Sequence, residues 1–389
     1  MALCSNFRCV AGYLVVLWSV SLYANGCYTS IINFGDSLSD TGNIKHLGII
    51  TNQSFPSMFL PYGQTFFHKP TGRFSDGRLI IDFLAESLGL PLIPPYMRED
   101  SGYVAEFEHG MNYAVAGATT LSSQLLADEG IHNLVTNASF EVQLKWFKES
   151  LPSICGVASA DCRNKIGHSL ILVGEIGGND YYCLMHNGKS INEIKSLVPL
   201  VVKTIVSTIN ELIGIGAQTL VVPGVLPLGC SADHLTIAQG SKNEEYDPTT
   251  SCLIWLNQLA EYHNQLLQKE LNHIRELHSN VNIIYADYYN ATMQIYRFPY
   301  KYGFINESLK TCCGGGGPFN YNSTAPCGDE YATVCDEPYT YVNWDGVHFT
   351  EAAYKVIFEG LFQGPYTTPT FKSSCPLSSV VKVGKSSSY

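Results

Sequence analysis

Short apolar runs rich in valine and isoleucine alternate along this chain with long stretches of helical periodicity, and that alternation limits the fold more than any other feature. Near-continuous apolar runs mark strands buried on both faces, which calls for helices above and below a parallel sheet. Residues 30–34, 111–115, 169–176, 218–222 and 282–286 are the expected strands. Between them, residues 78–88 repeat Leu79, Phe83 and Leu84 at helical spacing. Ser190 and Glu193 form an S-x-x-E capping box that opens a helix toward Ile213, with Pro199 set to bend it and Gly214 and Gly216 to end it. A helix over residues 252–278 and a last one, N-capped by Thr350 and running through Phe358, complete the pattern. With no internal repeat and no linker, residues 27–378 are expected to form one α/β domain, followed by a mobile polar tail at 379–389.

Hydrophobic residues make up 46% and charged residues only 15% of the chain, against about 25% charged in an average soluble domain. Such a composition excludes disorder for most of the length. The formal charge is −11 and no long Lys/Arg run exists, which argues against an electrostatic grip on nucleic acid or anionic lipid. Small neutral or cationic partners remain open.

The long apolar run at residues 10–24 follows Arg8 and leads into Ala24-Asn25-Gly26. Charge, apolar core and small residues in that order read as a secretory signal peptide over 1–26, cleaved after Gly26. The run is too short for the roughly 20 residues that span a bilayer. Cleavage removes Cys4 and Cys9 of thirteen cysteines, leaving an odd number, so one thiol should stay unpaired. In an oxidising compartment the rest are disulfide candidates. Cys155 with Cys162 and Cys230 with Cys252 would close short loops, while Cys312, Cys313, Cys327 and Cys335 allow several pairings. Zinc is disfavoured for those four, because two are adjacent and no second C-x-x-C exists. Sequons at Asn52, Asn137, Asn290, Asn306 and Asn322 agree with a secreted glycoprotein, extracellular or vacuolar.

Four blocks carry chemistry. Gly35-Asp36-Ser37-Leu38 follows the first strand, where ligands of open α/β sheets collect. A lone Gly-Asp-Ser favours a helix cap, with Ser37 as N-cap and Asp40 three residues on; the sharper reading makes Ser37 a nucleophile. Gly117 lies near the end of the block 110–118, where a glycine N–H could approach a substrate oxygen, though a simple turn is the plainer reading. Asn179, in Gly174-Glu175-Ile176-Gly177-Gly178-Asn179-Asp180, offers side-chain donors or an ordinary turn. Nearby Cys183 has no basic neighbour in sequence to activate it and reads as a buried or unpaired thiol. Asp345 and His348, three residues apart before the last helix, can pair through Nδ1 and leave Nε2 free as a base.

In this order the blocks resemble the signature of the GDSL, or SGNH, hydrolases over nearly the whole mature chain. Residues 61–66 (PYGQTF), 70–78 (PTGRFSDGR), 227–230 (PLGC) and 312–314 (CCG) resemble the plant branch, and within it the sequence looks most like the acetylajmalan esterase and sinapine esterase group. The resemblance implies a three-layer α/β/α, flavodoxin-like fold with a parallel sheet of about five strands. It implies hydrolysis of an acyl ester of a specialised metabolite through an acyl-serine, with Ser37 as nucleophile, His348 as base and Asp345 as its orienting partner. Ser37 N–H, Gly117 and Asn179 would then form the oxyanion hole, and neither metal nor organic cofactor is called for. An acyltransferase using the same acyl-serine with an alcohol acceptor, and a non-catalytic secreted binding protein, are the alternatives.

Overall fold

The computed structural model describes residues 27–97, 107–132, 134–155, 159–239, 245–305 and 307–375. Residues 1–26, expected as a signal peptide, Asn306 and residues 379–389, expected as a tail, lie outside the described residues.

Five of the apolar runs become parallel strands: β1 (Ser30–Asn33), β2 (Gly110–Asn112), β3 (Ser169–Leu172), β4 (Thr219–Pro223) and β5 (Asn282–Ala286). They lie in the order β2-β1-β3-β4-β5, the flavodoxin-like doubly wound arrangement, with its switch point between β1 and β3. A separate small ribbon pairs β6 (Cys313–Gly314) antiparallel with β7 (Thr333–Val334). A sixth strand of the main sheet, β8 (Thr367–Thr368), pairs antiparallel with β5 at the edge.

Two strands end earlier than their apolar runs. β3 stops at Leu172 because the chain turns at Gly174, whose φ is +76° and where a Cβ would lie 1.6 Å from the Phe34 carbonyl oxygen. β2 stops at Asn112, yet Tyr113 and Val115 still donate their N–H groups to Asn33 and Gly35. Both run-on segments are loops at the carboxyl edge of the sheet, and Val115, Val173 and Ile176 are apolar because those loops are buried.

The capping box opens as expected: Ser190 Oγ accepts from the Glu193 N–H and Glu193 accepts from the Ser190 N–H. The helix Ile191–Ile215 continues through Pro199 to Gly216. By length and hydropathy it could cross a membrane, but Ile194, Val198, Val201, Ile205, Ile209 and Leu212 form a buried stripe at helical spacing that belongs to the core. Beside it packs the helix Ile254–Leu277, and the last helix, Glu351–Phe358, is N-capped by Thr350.

Disulfides join Cys155 to Cys162 and Cys230 to Cys252, as the spacing suggests, and Cys312 to Cys335 and Cys313 to Cys327 within the cluster. One bridge was not expected from local spacing: Cys27 joins Cys375. Cys183 is the free cysteine among the described residues; it is buried, and burial pushes its thiol up to about 11, the wrong direction for a nucleophile.

Candidate active site

The loop after β1 turns at Gly35, whose φ is +130° and whose Cβ would approach the Glu175 carbonyl oxygen to 2.8 Å. Only glycine fits there. Gln143, on the helix Phe140–Cys155, clamps Gly35 from both sides: its Oε1 accepts from the Gly35 N–H and its Nε2 donates to the Gly35 carbonyl. Ser37 is thereby held in a turn, not at a helix N-cap, which corrects the cap reading. The capping work falls to Asp40. Its carboxylate accepts N–H bonds from Gly42, Asn43 and Ile44 at the start of the helix Asn43–Thr51, and from Ala116 in the next loop. Burial raises Asp40 to about 6 against those four stabilising bonds.

Ser37 Oγ lies 2.8 Å from His348 Nε2, although the two are 311 residues apart in sequence. On the far side of the ring, Nδ1 is 2.9 Å from both oxygens of Asp345. All three side chains are buried. Asp345 Oδ1 also accepts from the backbone N–H groups of Val347 and His348, and Oδ2 accepts from the Tyr62 hydroxyl at 2.8 Å. Burial alone would raise the Asp345 carboxyl; the charge and hydrogen bond of His348 and the two backbone donors outweigh it and bring it down to about 2. Phe74 packs on the imidazole with ring centroids 4.6 Å apart. A hydroxyl, an imidazole and a fixed carboxylate in line can pass a proton away from the hydroxyl oxygen. The profile of the GDSL-like Lipase/Acylhydrolase family matches residues 31–361, the span that holds these groups.

This chain belongs to the GDSL family. Two proteins of Arabidopsis thaliana, each described as a GDSL esterase/lipase, are 55% and 54% identical to it. The first alignment spans 356 residues, 91% of this chain and 88% of the relative, and the second 360 residues, 92% and 91%. The protein is accordingly a carboxylic ester hydrolase of the plant GDSL esterase/lipase group.

Other residues that the GDSL signature singled out sit nearby. Asn179 lies in the first turn of the helix Gly178–His186, and its amide nitrogen donates to Asp36 Oδ2 at 2.9 Å and to the Ala118 carbonyl at 3.1 Å. Gly117 has φ +78° and a Cβ there would meet Val135 at 2.4 Å, so the turn requires glycine. Ser37 and Asn179 line one cleft of about 70 Å³ with Leu226, Leu228, Tyr296 and Phe349; Gly117 is not among its described lining residues. A larger hollow of about 390 Å³ near Thr29, Phe107 and Lys165 opens at the amino ends of the strands, away from these groups.

Sequence reasoning passed over three contributors. Tyr62 steadies Asp345 from 283 residues away, and no spacing rule could link them. Phe74 lies in a segment noted only for its likeness to the plant branch. Glu175 lies within the third block, where the neighbouring glycines read as a turn. In the structure its buried side chain is hydrogen-bonded to that of Asp36. Burial first, and then the Asp36 charge, push Glu175 well above the usual carboxylate range, which favours its neutral form, the form able to donate to Asp36. Asp36 in turn fixes the Asn179 amide.

Glu175→Gln keeps a donor toward Asp36 and should cost less than about 1 kcal/mol in urea unfolding. Glu175→Ala strands a buried carboxylate and should cost about 3 kcal/mol. Equal stabilities for the two variants would refute a proton shared between Glu175 and Asp36.

Proposed function

We propose that this GDSL esterase hydrolyses short-chain acyl esters of plant specialised metabolites through an acyl-serine on Ser37, after entering the secretory pathway by way of the 1–26 leader. The observation that carries the mechanism is the line Ser37 Oγ, His348 Nε2, Nδ1 and Asp345. His348 takes the Ser37 proton as Oγ attacks the ester carbonyl, and returns it to the departing alcohol. Water then attacks the acyl-Ser37 and releases the acid, restoring the hydroxyl. Ser37 N–H, Gly117 N–H and Asn179 are the proposed donors to the tetrahedral oxyanion, each contributing about 3 kcal/mol. An arriving oxyanion competes with Asp36 and Ala118 for the Asn179 protons.

The acyl-chain preference rests on the small size of the cleft, about 70 Å³, which favours a short acyl chain over a long one. Along a series of p-nitrophenyl esters, kcat/KM should fall on the order of tenfold or more from acetate to laurate. A flat series would sink the short-chain assignment. Acidification should also lower kcat/KM, because only the neutral imidazole accepts the Ser37 proton. Asp345, held down to about 2, stays ionised across the working range and adds no limb of its own.

Bridged cysteines support the secretory assignment. Asn52, Asn137 and Asn290 are exposed, which suits glycan attachment. Protein collected from plant-cell medium should begin at Cys27 and lose mass on deglycosylation; a cytosolic product retaining Met1 would refute this.

A further inference from the structure

We propose that His186, Asp233 and His234 form a binding site for a zinc-class divalent ion on the wall of the ester cleft. His186 ends the helix Gly178–His186 that begins beside Asn179, and Asp233 and His234 open the helix Ala232–Ala238. One ligand atom from each of the three lies within 4.8 Å of the others, and His186 Nε2 is already 3.0 Å from Asp233 Oδ2. Ligand atoms around a tetrahedral ion with bonds of about 2.1 Å are about 3.4 Å apart. The separations are therefore of the order a bound ion requires, and His186, the partly exposed member, is the one with room to adjust.

An independent observation points the same way. His234 is only 5% exposed, and its Nε2 is buried without a hydrogen-bond partner. The other ring nitrogen is engaged: Nδ1 lies 2.9 Å from the Leu228 carbonyl oxygen and 2.6 Å from Ser231 Oγ. Nδ1–H donating to that carbonyl fixes the tautomer and leaves a lone pair on Nε2, the state of a metal-binding histidine with its outer partner in place. Asp233 is likewise supported from outside, by hydrogen bonds with the side chains of Tyr182 and Tyr321. A buried acceptor left unpaired is costly, and a bound ion would satisfy it. Two imidazoles and one carboxylate suit zinc, cobalt or nickel far better than magnesium or calcium.

Three protein ligands leave a fourth position open. Tyr182 and His234 line the cleft that holds Ser37, and the Asp233 N–H donates to the Gly346 carbonyl, between Asp345 and His348. The ion would therefore sit against the substrate and the loop that carries the imidazole, without replacing any member of the Ser37 line.

The test uses the full secreted glycoprotein after chelator treatment, titrated with Zn²⁺ by calorimetry and with Co²⁺ by visible absorption. Binding of about one ion per chain is expected, with a cobalt spectrum of low coordination number and no response to Mg²⁺. His186→Gln, at the exposed end of the site, should weaken Zn²⁺ binding at least tenfold, and Asp233→Asn should do the same. His273→Gln, an exposed imidazole near Glu276, should leave binding unchanged. No stoichiometric binding, or binding indifferent to His186→Gln, would overturn the site. Should Asp233→Asn fail to fold, His186→Gln decides alone. None of these readouts needs ester turnover, so failure here is separable from failure of the hydrolase mechanism.

Discussion

Ser37→Ala should cut ester turnover by on the order of 10⁶-fold, the scale seen when the nucleophile of a serine-hydrolase triad is removed. The expectation follows from position: Ser37 Oγ is the hydroxyl 2.8 Å from His348 Nε2. Ser39, two residues on, is the internal control. Its hydroxyl donates to the Phe34 carbonyl at 3.3 Å and fills the space beside Gly35. Ser39→Ala should therefore lower stability by about 1 kcal/mol and leave kcat within a small factor. Steady-state kinetics on both folded variants, with intact mass after a serine-directed organophosphate, gives the ranking. The reverse order, or labelling that survives Ser37→Ala, would displace the nucleophile from Ser37.

The second large effect belongs to the imidazole and its carboxylate. His348→Ala should remove most of the activity together with the acid limb of the pH profile, since no base then remains at Ser37. Asp345→Asn should lower kcat on the order of 10⁴-fold with the fold retained. An amide at that position presents an N–H where Nδ1–H needs an acceptor, and the imidazole then flips or takes the wrong tautomer. The amide oxygen can keep the Val347 and His348 N–H groups while its nitrogen donates to the Tyr62 hydroxyl oxygen, so the Asp345 loop should hold. Near-normal turnover in His348→Ala with an unchanged pH profile would require another histidine as the base.

The five parallel strands were legible because strands buried on both faces are written as apolar runs. Where those strands end was not legible, since the loops at the carboxyl edge are as apolar as the strands: Val173 and Ile176 are buried outside any ladder. Strand β8 contributes only Thr367 and Thr368, too short to leave a pattern. At the site, spacing placed Asp345 beside His348, while Tyr62, Phe74 and Glu175 arrive from elsewhere in the chain. Gly-Asp-Ser misled in isolation because Asp40, not Ser37, holds the helix start. Nearness in sequence also found Cys155–Cys162 and Cys230–Cys252, but it could not find Cys27–Cys375.

That last bridge makes the polypeptide a covalent ring, closed between positions 348 residues apart. A ring cannot be divided by one cut. A protease that nicks an exposed loop once leaves a single molecule, whose halves part only when the sulfurs are reduced. The Cα atoms of Cys27 and Cys375 are 5.6 Å apart, so a short peptide link could replace the bridge and new ends could be opened at a surface loop. Closure also has an order in time. It must wait for synthesis to reach Cys375, so the rest of the sheet is already translated when the ring is sealed.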